Sequence, residues 1–244
     1  MKLTVRRFEC LDSTNLYARE NFYSLSNGVV ILARTQSAGK GRRGRKWISP
    51  DEGNLYFSIV LKDDFPHTEQ VNNITQVASI AVAQTLEFYG LFPSIKWPND
   101  VLVSGKKVCG LLSESVIYRN QIQGAVLGIG LNVNMSLKTL KTIDQPATAM
   151  GIELKKNLDP EEVLAILLNH FSVCYACFQK KGFIGLKDHW IKYTKEWIGK
   201  KVRVENESIK KTGSILAFNE NGTLKINFDD NVSTVYDGDI YIDK

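Results

Sequence analysis

The sequence has few of the residues that build metal centres and disulfide frameworks. Its 244 residues include three histidines, none at ligand spacing, and four cysteines. Cys174 and Cys177 form a C-x-x-C pair, but no second pair completes a zinc site. Cys174 lies on a helical stripe with Leu167 and Phe171, which favours a small core side chain over metal or redox chemistry. We therefore expect no protein-ligated metal, and the cytoplasm is the default compartment for such a chain.

Long hydrophobic runs are also absent. No apolar stretch approaches the roughly 20 residues of a membrane-spanning helix. Residues 1–7 alternate like a strand and lack the apolar centre of a signal peptide. Hydrophobic residues make up 43% of the chain and charged residues 23%, as in ordinary globular proteins. The sequence therefore predicts a globular protein without a membrane partner.

What the sequence does contain is one strongly basic, glycine-rich stretch at 39–47, GKGRRGRKW. Its five cations equal the net charge of +5 of the whole chain, so the positive charge is local. A nucleic-acid-binding protein would spread such charge over a face. Glycines let backbone amides approach an anion, and arginine adds bidentate contacts to phosphate or carboxylate. The stretch predicts a loop that wraps a small charged ligand and is poorly ordered until that ligand binds.

The same stretch matches a dinucleotide-binding pattern, which the flanking sequence argues against. Gly39, Gly41 and Gly44 satisfy G-x-G-x-x-G and follow a predicted strand. A dinucleotide site requires these glycines to open a helix. Pro50 and Gly53 follow shortly after the loop and disfavour a helix there. We therefore reject a dinucleotide site.

Hydrophobic periodicity divides the chain into two parts. Before residue 195, strands are predicted at 3–10, 29–35, 54–61, 95–103, 107–116 and 122–131, and helices at 15–22, 68–89, 159–181 and 183–194. The strand at 95–103 is expected to break at Pro98 and resume, and hairpins join it to the next two, so the sheet is not purely parallel. After Gly199, five short strands are predicted at 201–205, 213–218, 223–228, 232–236 and 239–242. We therefore predict two domains, 1–195 and 196–244.

Two local features are candidates for ligand contacts. Ser13, Thr14 and Asn15 offer N-cap side chains at the start of a predicted helix, where local chemistry favours capping over ligand binding. Lys107 follows a turn and begins an apolar strand, either as a placed lysine or as a solvated one like Lys106. A phosphate cradle at 39–46 with one placed lysine would suit activation of a carboxylate by a nucleotide in a pocket that excludes water. Glycines in the later strands let a ligand or another backbone approach the sheet.

The motifs occur in a characteristic order. They are DSTN (12–15), Gln36 with the basic loop (39–47), GNLY (53–56), KWPND (96–100), GKKVCGLLSE (105–114) and GIGLNVN (128–134). In this order they resemble the biotin protein ligase family over essentially the whole chain. The resemblance implies an α+β fold: a mixed-sheet catalytic domain like that of class II aminoacyl-tRNA synthetases, followed by a small C-terminal SH3-like β-barrel.

The resemblance also implies an activity and its partners. ATP with Mg²⁺ would activate biotin as biotinyl-5′-AMP, releasing pyrophosphate. A lysine of a biotin carboxyl carrier protein, a subunit or domain of a carboxylase such as acetyl-CoA carboxylase, would then attack that intermediate. A homodimer is compatible with the sequence.

Residue roles follow from the same resemblance. Biotin contacts are expected from Ser13, Thr14, Asn15, Gln36, Gly39, Lys40, Gly41, Arg42 and Lys107. Contacts with ATP or the adenylate are expected from Arg42, Arg43, Arg45, Trp47 and Asn132. Supporting positions are Asn54, Lys96, Trp97, Asn99, Asp100, Gly110, Gly128 and Gly130. Lys107, at the biotin carboxylate and α-phosphate, and Arg42, in a lid over the adenylate, are the catalytic candidates. For residues 13–15 the resemblance reverses the preference for capping.

Two departures and two alternatives accompany this interpretation. Lys40 stands where the family most often has arginine, and lysine keeps the charge but lacks the planar group that makes bidentate contacts. Only twelve residues precede Ser13, too few for the DNA-binding domain of longer relatives, so we expect no DNA partner.

A lipoate ligase of the same fold is the alternative activity. A non-catalytic nucleic-acid-binding protein ranks far behind.

Overall fold

The computed structural model describes residues 1–62, 68–206, 210–229 and 231–242, without the side chains of 68–70 and 72. The first part of the chain contains β1 (Thr4–Leu11), α1 (Thr14–Glu20), β2 (Val29–Gln36), β3 (Leu55–Leu61), α2 (Thr68–Phe88), β4 (Pro93–Lys96), β5 (Asp100–Val103), β6 (Lys106–Tyr118), β7 (Gln121–Leu131), α3 (Leu137–Leu140), α4 (Met150–Leu154), α5 (Pro160–Lys181) and α6 (Lys187–Thr194). The second contains β8 (Lys201–Glu205), β9 (Lys210–Phe218), β10 (Leu224–Phe228), β11 (Asn231–Val235) and β12 (Asp239–Ile242).

The first seven strands form one mixed sheet in the order β1-β2-β3-β7-β6-β5-β4. β1 pairs with β2 in parallel, and the remaining described pairs are antiparallel. The predicted mixed sheet is therefore confirmed. The predicted break at Pro98 is confirmed, since β4 ends at Lys96 and β5 begins at Asp100. The sequence did not predict that β4 and β5 pair antiparallel, so that the chain reverses direction between them.

Two long helices pack on one side of this sheet: α2 lies against strands β4 to β7, and α5 packs against α2. α5 begins as its sequence predicts, because Asp159 caps it through a 3.0 Å bond from Glu161 N and Pro160 occupies its first turn. By length and composition α5 is apolar enough to cross a membrane, with mean hydropathy 1.3. Its apolar side chains, such as Phe171 and Tyr175, are however buried in the main hydrophobic core. The apolar face of α5 therefore packs into the core of the protein.

The C-terminal strands form a second, antiparallel sheet in the order β11-β10-β9-β8-β12, consistent with an SH3-like domain. The hydrophobic core runs without a break from the first sheet into this second one. Trp190 of α6 packs edge-on against Phe218 of β9 with ring centroids 4.9 Å apart. Trp97 Nε1 donates to the Gly222 carbonyl at 3.1 Å. The second sheet is thereby held at a definite place beside the first.

Candidate functional site

One cavity lies where the N-terminus of α1, the end of β2, the basic loop and strands β5 to β7 meet. Most predicted site residues line it: Ser13, Thr14, Asn15, Gln36, Lys40, Gly41, Arg42, Arg45, Trp47, Asn99, Asp100, Lys107, Gly110, Gly128 and Gly130. Residues to which the sequence analysis gave no individual role also line it: Lys46, Phe57, Leu111, Leu112, Ile129, Gln145 and Asp239. The cavity volume is about 100 Å³, below the roughly 300 Å³ at which ordinary small-molecule sites begin. The basic loop is closed over this cavity and supplies several of its lining residues: Lys40, Gly41, Arg42, Arg45, Lys46 and Trp47.

One wall of the cavity is made of hydroxyl and amide groups. Gln36 Oε1 accepts from Thr14 N at 2.8 Å and from Thr14 Oγ1 at 3.2 Å, and Gln36 Nε2 donates to Ser49 Oγ at 2.9 Å. Because a backbone N–H can only donate, Thr14 determines which way the Gln36 amide points. Ser13 Oγ accepts from Leu16 N at 3.4 Å and also lines the cavity. Capping and exposure to the cavity therefore coexist at Ser13.

Two residues outside the predicted site, Glu114 and Ser58, orient Asn15. Asn15 Nδ2 donates to Glu114 Oε2 at 2.8 Å, and Arg19 pairs with the other carboxylate oxygen at 2.7 Å. Ser58 Oγ lies 2.6 Å from Asn15 Oδ1 and 2.7 Å from Thr14 Oγ1. Flipping the Asn15 amide would turn its oxygen toward the Glu114 carboxylate, so the orientation is fixed. A lone serine in the apolar strand β3 was the available sequence signal for this contact.

A buried ion pair forms a second wall. Lys107 Nζ lies 2.7 Å from Asp100 Oδ1, and only 14% and 16% of the two side chains is exposed. Backbone bonds hold Lys107 in place, since its N–H donates to Pro146 O and its carbonyl accepts from Thr148 N, both at 2.9 Å. Nearby, burial lowers the pKa of Lys96 from its ordinary value, and the Asp100 carboxylate opposes that shift. Lys107 is therefore held in a fixed position at the cavity by its neighbours and is not a solvated surface lysine.

Trp47 and Asn15 occupy the space that the strand glycines leave open. Gly110 and Gly130 face each other across β6 and β7. A Cβ at Gly130 would lie 2.5 Å from Trp47 Nε1, and one at Gly110 would lie 2.7 Å from Trp47 Cζ3. A Cβ at Gly128 would lie 2.9 Å from Asn15 Cγ. The sequence predicted that these glycines let a ligand or another backbone approach the sheet. In the structure the side chains of Trp47 and Asn15 make this approach.

The basic loop has its own hydrogen bonds. Gly41 N donates to Arg45 O at 2.7 Å and Trp47 N donates to Gly39 O at 2.8 Å. Both bonds join the two arms of the loop, and a 3-10 turn at Arg42–Gly44 connects these arms. The chain therefore forms a small hairpin that carries Trp47 down onto the sheet. The predicted poor order of this loop without ligand stays a prediction.

The loop arginines contact two carboxylates of the second sheet. Arg42 Nη1 lies 3.2 Å from Asp239 Oδ1, and Arg42 also pairs with Asp237. Arg43 Nη2 lies 3.2 Å from Asp237 Oδ2, and Arg45 pairs with Asp239. Burial lowers the pKa of Arg42 from its ordinary value, and the Asp237 carboxylate opposes that shift. Asp237 and Asp239 are not among the residues that the sequence predicts for the site.

Some predicted residues do not line the cavity: Gly39, Arg43, Asn54, Lys96, Trp97 and Asn132. Asn54 instead holds the end of β7, because its Oδ1 accepts from Val133 N at 2.9 Å. Asn132 Nδ2 donates to Thr148 O at 3.0 Å, whereas its buried Oδ1 has no partner among the described residues. An adenylate contact from Asn132 stays a prediction. In the described ranges no three His, Cys, Asp or Glu lie together in a group that could hold a metal ion.

The chain is similar to known proteins over most of its length. The model of the biotin/lipoate A/B protein ligase family matches residues 7–132. The chain is 33% identical to the biotin–[acetyl-CoA-carboxylase] ligase of Paracoccus denitrificans, over 74% of this chain and 76% of the relative. It is 29% identical to the bifunctional ligase/repressor BirA of Bacillus subtilis, over 87% of this chain but only 66% of that relative. Its fold superposes on biotin protein ligase from Aquifex aeolicus in complex with biotin and ATP, with TM-score 0.82, 29% identity and 97% coverage of each chain.

Proposed function

The chain belongs to the biotin/lipoate A/B protein ligase family, and we propose that it is an ATP-dependent biotin ligase. The observation that carries this proposal is that one cavity joins a hydroxyl-and-amide wall to a placed lysine and a closed basic loop. Biotin has matching chemistry, with an uncharged ureido ring at one end and a carboxylate at the other. A family neighbour in complex with biotin and ATP has the same fold as this chain.

The hydroxyl-and-amide wall suits the ureido ring. This ring presents N–H donors and a carbonyl acceptor, and the wall offers both kinds of partner through Thr14, Asn15 and Gln36. Because neighbouring groups hold the Asn15 and Gln36 amides in single orientations, little entropy is lost when the ring binds. Ser13 adds a hydroxyl at the same wall.

The second wall, with Lys107, and the basic loop, with Arg42, suit the first chemical step. A carboxylate oxygen of biotin would attack the α-phosphorus of ATP, the bond to the β-phosphate oxygen would break, and pyrophosphate would leave. Lys107 would exchange its contact with Asp100 for the biotin carboxylate and α-phosphate, and Arg42 would help retain the adenylate. Fixed cations in a closed site stabilise charge that develops in such a transition state.

The remaining partners complete the proposal. Mg²⁺ binds through one or two carboxylates plus substrate phosphates, and among the residues lining the cavity Asp100 offers a carboxylate beside Asn99. These residues fit a Mg²⁺ ion that arrives with the triphosphate. In the second step, a neutral lysine amine of a carrier protein in the cytoplasm would attack the acyl carbon, expel AMP and lose a proton.

The test is acceptor biotinylation followed by mass spectrometry. With biotin, ATP and a biotin carboxyl carrier domain, one acceptor lysine should gain the mass of a biotinyl group. Unmodified acceptors across several carrier domains, with properly folded protein, would count decisively against a biotin ligase.

Lipoate ligation is the second activity within this family. The lipoate ring has no hydrogen-bonding groups to match the Thr14, Asn15 and Gln36 wall, so burying it there would leave polar groups unpaired. Only a ligand that binds the folded state raises the melting temperature. We therefore expect biotin to raise the melting temperature and lipoate to leave it unchanged; the reverse pattern would favour the lipoate ligase.

A further inference from the structure

The turn that joins β11 to β12 reaches across to the basic loop. Asp237 in this turn and Asp239 at its end contact all three loop arginines: Asp237 pairs with Arg42 and Arg43, and Asp239 pairs with Arg42 and Arg45. More than one hundred and ninety positions separate the partners in sequence. The contact therefore exists only because the second sheet is folded against the first.

Backbone acceptors of the second sheet strengthen this contact. Arg42 Nη1 donates to Gly238 O at 3.2 Å, and Arg43 Nη1 donates to Glu205 O at 2.8 Å. The side chains of Arg42 and Asp239 are only 17% and 13% exposed, so solvent and salt screen their attraction weakly. Asp237 is 67% exposed, so its pairs contribute less.

The carboxylates stand on a rigid support. Asp239 begins β12 and lies opposite Glu205 of β8, and the next residue, Ile240, is fully buried in the shared core. The loop, in contrast, has few buried side chains of its own, and Arg43 and Arg45 are exposed. The tip of the loop is thus tied to a fixed strand end, which favours the closed arrangement.

We propose that Asp237 and Asp239 are positioning residues that hold the basic loop closed over the cavity. The second sheet thereby sets how readily the loop opens and, resting on the proposed function, how long biotinyl-5′-AMP is retained. The two residues act through the loop arginines and touch no reacting atom in this assignment.

Limited trypsin digestion tests the contact without relying on activity. The loop offers five cleavage sites, at Lys40, Arg42, Arg43, Arg45 and Lys46. In the full chain, Asp237→Asn with Asp239→Asn should raise the rate of cleavage within 39–46 about tenfold, since several ion pairs are lost together. Glu220→Gln, which removes an exposed carboxylate from the turn between β9 and β10, should leave the rate unchanged.

The outcomes of this digestion decide the proposal. An unchanged cleavage rate in the double variant, at a wild-type melting temperature, would overturn it. If the double variant melts early, Asp237→Asn alone replaces it, because that side chain is largely exposed. It should then still raise cleavage about threefold, and an unchanged rate would again overturn the proposal.

Release of the adenylate tests the functional consequence. With biotin and ATP, the double variant should release biotinyl-5′-AMP severalfold faster than wild type and label unrelated lysines. A lower KM for ATP with unchanged release would overturn the proposal, because the carboxylates would then be competing with the triphosphate. If wild type forms no adenylate while the digestion results hold, the proposed function fails and the loop contact stands.

Discussion

Ser58 Oγ lies 2.6 Å from Asn15 Oδ1, in the centre of a strand whose side chains are all buried. Ser58 sits directly opposite Gly128, and residues opposite each other in a sheet project to the same face. The absent side chain at Gly128 leaves a space above Ser58, and the Asn15 amide fills it. The buried hydroxyl of Ser58 and the missing side chain at Gly128 therefore position Asn15, a residue of the hydroxyl-and-amide wall that is proposed to bind the ureido ring.

Ser58→Ala should weaken biotin binding. It leaves the buried Asn15 Oδ1 without its partner, which costs about 1–3 kcal/mol. We expect the KM for biotin to rise about tenfold while the KM for ATP stays within about twofold. Initial-rate kinetics of adenylate formation, with each substrate varied in turn, measure both constants.

Ser79→Ala is the matched control for that variant. Ser79 is a fully buried serine of α2 whose hydroxyl donates to Gln76 O at 2.7 Å, away from the cavity. Its loss should lower stability without changing either KM. Equal effects of the two substitutions on the KM for biotin would mean that Ser58 has only a structural role.

Glu114 and Arg19 allow the orientation of Asn15 to be tested separately from the surface ion pair. Glu114→Ala leaves Asn15 Nδ2 only its longer bond to the Leu112 carbonyl at 3.4 Å and should raise the Kd for biotin about threefold to tenfold. Arg19→Ala removes the same ion pair, but the bond between Asn15 and Glu114 remains, so the Kd should change less than twofold. Isothermal titration with biotin gives the two affinities. Equal losses in both variants would contradict a role for Glu114 in orienting Asn15.

The sequence predicted most of the elements and the local parts of the site. The basic loop, Ser13 to Asn15 and Lys107 were identifiable because each stands within a short characteristic motif. The alternation of apolar residues predicted most strands, since each strand has at least one buried face.

Contacts between distant segments were beyond such reasoning. Ser58 meets Asn15, and Asp239 meets Arg42, only after strands have paired in one register and two sheets have packed together. A slip of one residue in register would turn Ser58 to the opposite face. The reversal between β4 and β5 was missed because Pro98 breaks a strand without specifying where the chain goes next.

Gly130→Ala should destabilise the protein by displacing Trp47. Its new Cβ would stand 2.5 Å from Trp47 Nε1, and overpacking of this kind costs about 1–3 kcal/mol. In a Trp47→Ala background the ring is gone, so the same substitution should cost about 0.5 kcal/mol or less. Urea unfolding of the four proteins in this cycle measures the coupling. Equal costs in both backgrounds would show that the Trp47 ring does not pack on Gly130.

Lys107→Ala should remove adenylate formation. The ammonium group, held beside Asp100 inside the cavity, is proposed to contact the charge that develops at the carboxylate and α-phosphate. Loss of one such fixed group lowers a rate by about 10²–10³-fold. The neighbouring Lys106 carries the same charge but is exposed and does not line the cavity. Lys106→Ala should therefore keep kcat/KM within about twofold of wild type.

The measurement for both lysine variants is pyrophosphate release with biotin and ATP, alongside the melting temperature. Lys107→Ala leaves Asp100 without its closest cation, so some loss of stability is expected and must be separated from the loss of rate. Lys107→Arg keeps the charge beside Asp100 and should restore stability, but its planar group does not reproduce the position of the ammonium, so activity should remain low. A folded Lys107→Ala protein with near-normal pyrophosphate release would remove Lys107 from the proposed reaction.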